Sequence, residues 1–163
     1  MSQRIRQAIL QRDYARLDEA GLDAEQLTRY LAVLARLAAL DDVSVGEHVL
    51  VERIAAFLGV KEDGLARGFL VAEDRNVSTG SLLNGITDKG LKLCLLRDAY
   101  RIATADREIS AVELAELGLI ASGLGIPAEV AAEIRTIALQ EQMLQREFAA
   151  LVRRAEKGEL ARR

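Results

Sequence analysis

Apolar residues recur along this chain at helical spacing, and acidic or glycine-containing turns break the stripes they form. Ile5, Ile9, Leu10, Tyr14 and Leu17 make a first stripe that Gly21 can close. Asp23, with Gln26 three residues on, resembles a capping box. It opens a helix with Leu27, Tyr30, Leu31, Leu34, Leu37 and Ala38 on one side. That helix stops at Asp41-Asp42. The next starts at Ser44 and runs through Leu50, Val51, Ile54, Ala55 and Leu58 to Gly59. Leu65, Phe69 and Ala72 predict a helix over 61–74, weakened by about 1 kcal/mol at each of Gly64 and Gly68. Residues 73–90 favour turns, with one short helix after Ser78. Val77, Leu82, Leu83 and Ile86 mark this stretch as a packed connection rather than a free linker. Thr87 or Asp88 then caps a helix carrying Leu91, Leu95, Ala99, Ile102 and Ala103. After a second acidic turn, Leu114, Leu117, Ile120, Ala121 and Leu124 form a stripe ended by Gly125. Pro127 stands where a last helix begins. No stretch reads as a β-strand. The expected fold class is all-α, a single-domain bundle of about seven helices.

The pattern also repeats. Residues 33–60 align without a gap on residues 99–126, 66 positions later. Ala39, Ser44, Glu47, Ile54, Ala55, Leu58 and Gly59 meet Ala105, Ser110, Glu113, Ile120, Ala121, Leu124 and Gly125. This gives two helix–acidic turn–helix units, about 25–75 and 88–140, in one domain over 1–163, with a C-terminal helical extension over about 127–158. Face-to-face packing of the units would place Ile54, Leu58, Ile120 and Leu124 in one core.

Composition narrows the partners. Three Phe, three Tyr and no Trp require an aliphatic core, which suits helices. A net charge of -3 gives no broad nucleic-acid footprint. Cys94 is the only cysteine, so no internal disulfide forms and a reducing compartment fits. No apolar run approaches the roughly 20 residues of a membrane span, and the polar N-terminus is unlike a signal peptide. A cytoplasmic location is the expectation.

Catalytic chemistry finds little support. His48 is the only histidine and would have to serve in any triad or histidine-based zinc site. Cys94 lies within an apolar helix, and GLARG and TGSLLNG lack the lysine and spacing of a phosphate loop. A non-enzymatic protein is expected.

The acidic turns have two readings. Ser44 with Glu47 and Ser110 with Glu113 both fit the capping box Ser-x-x-Glu, which explains those glutamates without a metal. Asp106 and Glu108, however, follow a helix C-terminus, where the dipole disfavours negative charge, and lie near Glu113 in sequence. Clustered carboxylates suit a hard divalent cation, Ca²⁺ or Mg²⁺. Arg107 between them offers an internal counter-charge instead.

The run IATADREIS, followed by Glu113, the stripe and LGI, resembles the TerB-like tellurite-resistance family. Similar domains occur as the N-terminal part of some membrane-anchored J-domain co-chaperones. The resemblance covers about residues 25–140. It implies a small all-helical protein linked to tellurite resistance and stress responses, some relatives binding divalent cations through acidic residues. Carried over, the ligands are Asp106, Glu108 and Glu113, with Asp41, Asp42 and Glu47 from the first unit. The chain departs from the family where Arg107 replaces the glycine after Asp106 and where Leu40 occupies the place equivalent to Asp106.

From Pro127 onward, Val130, Ile134, Ile137, Leu144, Phe148 and Leu151 follow near-heptad spacing interrupted by Glu141. The helix would be roughly 35–40 Å long, more than a compact domain needs. Its second half carries Phe148, Leu151 and Val152 on one side beside a basic cluster. Either this end packs on the domain, or it docks a partner protein or a second copy as a homo-oligomer. Peripheral membrane association is a weaker variant, because Glu156 and Glu159 dilute the positive charge. Two functions follow from these features: a cation-binding stress module of the TerB-like kind, or a metal-independent helical adaptor.

Overall fold

Short-range capping chemistry sets where four of the helices begin. The computed structural model describes residues 23–40, 45–105 and 109–158, so the Ile5–Leu17 stripe and Gly21 lie outside the described residues. Among these residues there are seven helices and no strand. They are α1 (Ala24–Ala38), α2 (Val45–Phe57), α3 (Glu62–Glu73), α4 (Thr79–Asn84), α5 (Lys89–Ala103), α6 (Ala111–Gly123) and α7 (Ala128–Glu156). Asp23 caps α1 by accepting from the Glu25 amide at 3.1 Å. Gln26 does not complete the expected box. Its side-chain oxygen accepts from the Thr87 amide at 3.1 Å, which ties the start of α1 to the turn before α5. Ser78 accepts from the Ser81 amide at 3.1 Å to open α4. Asp88, rather than Thr87, opens α5 by accepting from the Leu91 amide at 2.7 Å.

The ends of α2 and α6 are built alike. Gly59 and Gly125 have φ of 70° and 69°, a left-handed conformation that costs glycine little. The next amide donates back into the helix, Val60 to the Ala55 carbonyl at 2.9 Å and Ile126 to the Ala121 carbonyl at 3.0 Å. Both helices have 13 residues, and α3 and α7 begin at Glu62 and Ala128, so the spacing of 66 recurs in these bounds.

Aliphatic side chains of all the helices meet in one core. Tyr30, Leu31, Leu34 and Leu37 of α1 and Leu91, Leu95, Leu96 and Ile102 of α5 are buried there. Ile54, Ile120 and Leu124 belong to the same cluster, with Leu58 partly buried against it. The connection 73–90 is packed, as its hydrophobes imply: Leu82, Leu83 and Ile86 are buried, and Thr79 donates to the Glu116 carboxylate of α6 at 3.0 Å. Gly68 makes α3 possible despite its low helix propensity. A Cβ there would lie 3.0 Å from that of Leu31, so glycine lets α3 approach α1 closely.

Two apolar stripes differ from the sequence expectation. In α6 the inward face is Glu113, Leu117, Ile120, Ala121 and Leu124, while Leu114 is 46% exposed. Steps of four and three back from Leu117 reach Glu113 and Leu114, and the helix is turned so that Glu113 lies inside and Leu114 at the outer edge. In α7 the inward face is Ala131, Ile134 and Ala138, which turns Ile137 toward solvent at 49% exposure.

Candidate functional site

The described part of the second acidic turn is organised by backbone capping. Ser110 Oγ accepts from the Glu113 amide at 3.2 Å, and Glu113 Oε2 accepts from the Ser110 amide at 2.8 Å. Glu113 is therefore buried and already committed to the first turn of α6. Glu47, at the equivalent place in α2, is also buried. Asp41, Asp42, Asp106 and Glu108, together with Ser44 and Arg107, lie outside the described residues. Among the described residues no three His, Cys, Asp or Glu side chains gather as metal ligands. The part of the turn described here does not by itself assemble a cation site.

On the other side of that turn, α5 ends against α7. The hydroxyl of Thr104, the buried C-cap residue, donates to the Tyr100 carbonyl at 2.7 Å. The Thr104 carbonyl accepts from the Gln142 side-chain amide and from Arg146 Nη2, the latter at 3.1 Å. Gln142 and Arg146 are one helical turn apart, so one face of α7 presents both donors. They satisfy a carbonyl that the end of α5 leaves open, and Arg146 places positive charge at the negative end of its dipole. The sequence reading missed this anchor, because nothing short-range marks Gln142 and Arg146 as partners of residue 104.

A second polar cluster, also missed, lies inside the bundle. Asp98 of α5 is fully buried and accepts from the Tyr30 hydroxyl of α1 at 2.7 Å. Its other oxygen lies 3.3 Å from Arg101 Nη1 and 3.5 Å from Arg97 Nη2. Both arginine side chains are themselves mostly buried, so the ions meet where water screens them poorly. The geometry joins the two central helices and presents no reactive atom to a cleft.

His48 stacks on Phe69 at a centroid distance of 4.6 Å and sits 3.7 Å from Glu52 on its own helix. Cys94 is partly buried against the core.

Beyond Arg146, α7 leaves the core. The helix has 29 residues, about 43 Å at 1.5 Å per residue. Its only buried residues, Ala131, Ile134 and Ala138, lie in the first half. In the second half Leu144, Phe148 and Leu151 are 66%, 51% and 47% exposed, Met143 is exposed and Val152 is half-buried. Between α6 and the first half of α7 runs an open groove of about 710 Å³, lined by Tyr100, Gly118, Ser122, Ala132, Arg135 and Leu139 among others. Among the described residues no helix is long and apolar enough to cross a membrane.

A scan against protein-family models, a search of curated proteins and a search of solved structures each returned no match.

Proposed function

We propose that this protein is a non-enzymatic helical adaptor whose working surface is the second half of α7. One observation carries the reading. A single helix changes character at Gln142–Arg146, from a buried face to a row of exposed Leu144, Phe148 and Leu151. Large apolar side chains in a row are seldom left to water without a partner, and an amphipathic helix is a common docking element. Arg146 and Gln142 fix the direction in which that row is presented. Deleting residues from Gln145 onward should leave a cooperative thermal transition and the helical circular-dichroism spectrum in proportion to length, while removing protein association. Loss of the folded transition would make the segment part of the core and end this reading.

A second reading, a cation-responsive stress module of the TerB-like kind, is favoured by the burial of Glu47 and Glu113 at equivalent places beside acidic turns. Buried carboxylates call for compensating charge or donors; Glu113 has the Ser110 amide and Glu47 has a partner of its own, so a cation would add to contacts already made. Melts of chelator-treated protein with added Ca²⁺ or Mg²⁺ separate the readings. Saturation at about 100 times the dissociation constant would add about 2.7 kcal/mol of stability. An unchanged melt leaves the adaptor alone.

A further inference from the structure

We propose that the open groove between α6 and α7 is the seat of the chain's own amino-terminal stripe, residues 5–17. The inference concerns the first half of α7 and does not depend on the adaptor reading. The groove has the form of a helix seat. On α7 its lining positions are 128, 131, 132, 135, 136 and 139, one face of three helical turns about 17 Å long. On α6 it is bounded by Gly118, Ala121 and Ser122, small residues that leave room for a helix to approach. Its floor is Tyr100 of α5, which is 7% exposed and whose hydroxyl hydrogen-bonds to no described residue. A tyrosine so deeply set usually has a partner for its hydroxyl. Arg135, on the same groove, forms no ion pair among the described residues.

Reach, length and charge select the occupant. Residues 1–22 precede Asp23, and the chain enters the described body beside α4: Gln26 accepts from the Thr87 amide at 3.1 Å, and Arg29 donates to the Ser81 carbonyl at 3.0 Å. Leu83 of α4 packs against Gly123, next to Ser122 at one end of the groove. Residues 18–22 reach about 17 Å when extended, so the tether can pass α4 to that end. As a helix, residues 5–17 are about 18 Å long, which matches the groove. Entry from the end of α6 sets this helix antiparallel to α7, with opposed dipoles. Residues 5–17 hold Arg6, Arg12 and Arg16 against Asp13, a net charge of +2. Residues 111–139 hold Glu113, Glu116, Glu129 and Glu133 against Arg135, a net charge of -3, whereas residues 142–157 carry +2. The groove side therefore attracts a segment that the second half of α7 repels. In a register where residue numbers add to 145, Ile9 meets Thr136, Arg12 meets Glu133 and Arg16 meets Glu129. Glu133 lies beside Ala132 and Thr136 at the groove's edge, and neither Glu129 nor Glu133 forms an ion pair among the described residues. Asp13, four residues from both Ile9 and Leu17, puts one carboxylate on the apolar face, where Tyr100 and Arg135 can receive it. The stripe of a second copy has the same chemistry, but the tether gives the chain's own stripe an effective concentration on the order of millimolar.

The test uses the full chain in a Cys94→Ala background. Ile9→Cys with Thr136→Cys should oxidise to a disulfide within one chain, at a rate independent of protein concentration. That rate should be at least tenfold above the rate for Ile9→Cys with Phe148→Cys, whose second site is on the presented half of α7. Ala132→Trp fills the groove from an exposed position and should slow the first disulfide at least tenfold. Arg12→Glu and Glu133→Arg should each slow it, and the two together should restore it. In the parent chain, amide exchange across residues 5–17 should be slow, and Ile9→Glu should make it fast. Equal rates for the two cysteine pairs would overturn the proposal, as would fast exchange across residues 5–17 of the parent. Disulfides that join two chains and increase with concentration would put the stripe on a second copy and overturn it too.

Discussion

The helix pairs α1/α3 and α5/α7 start from equivalent places 65 and 66 residues apart, yet one is closed and the other open. Gly68 brings α3 against Leu31 of α1, whereas the equivalent position in α7 holds Ile134. Beside α7 runs the groove of about 710 Å³. The ends differ as well. Arg36 in the last turn of α1 donates to the Ala72 carbonyl at 3.0 Å and the Asp74 carbonyl at 2.8 Å, closing the end of α3. Asp74 then accepts from the Asn76 amide at 2.9 Å, which turns the chain away. In α5 the place of Arg36 is taken by Arg101, which pairs with buried Asp98 at 3.3 Å instead. The donors run the other way, from Gln142 and Arg146 of α7 to the end of α5, and the helix continues into solvent. Few changes suffice to turn a closing helix into a projecting one: the residue at the crossing and the side that supplies the cap.

The largest expected effect falls on the cluster that joins the two pairs. Asp98→Ala leaves Tyr30, Arg97 and Arg101 facing a buried site without the carboxylate, and should cost about 3–5 kcal/mol in a denaturant melt. Next comes the cap that exists in only one pair. Arg36→Ala should cost about 2 kcal/mol, with faster amide exchange confined to the last turn of α3. The crossing itself gives a smaller effect. Gly68→Ala should destabilise by about 1 kcal/mol net, because overpacking costs about 1–3 and helix propensity returns up to about 1. Gly118→Ala, on the open side, should have the opposite sign. Its Cβ meets nothing within 4 Å, so the melt should rise by up to about 1 kcal/mol. Equal signs for the two glycines would contradict the difference between the closed and open pairs.

Much of the fold was legible because helix periodicity and caps are local. The stripes of α1 and α5, the short helix after Ser78 and the glycine ends of α2 and α6 follow from residues within a few positions of one another. Where the sequence misled, a polar residue took an apolar role or the reverse. Glu113 turned inward because its carboxylate is satisfied by the Ser110 amide, and Leu114 turned outward as a consequence. Nothing local marks Asp98 as buried; Tyr30, 68 positions away, together with Arg97 and Arg101, makes its burial tolerable. Gln26 fits a capping box equally well as a tie to Thr87, and the choice depends on the tertiary neighbour. Of the candidate site, the exposed row Phe148 and Leu151 was visible as a stripe longer than the core required, whereas its anchor at Thr104 was not.

The division of α7 into a packed half and a presented half can be measured directly by amide hydrogen exchange with mass spectrometry. Residues 128–141 should be protected at a level set by the core. Residues 143–156 should exchange markedly faster than 128–141 in dilute protein. Uniform protection along the whole of α7 would place its second half on its own domain and contradict the account.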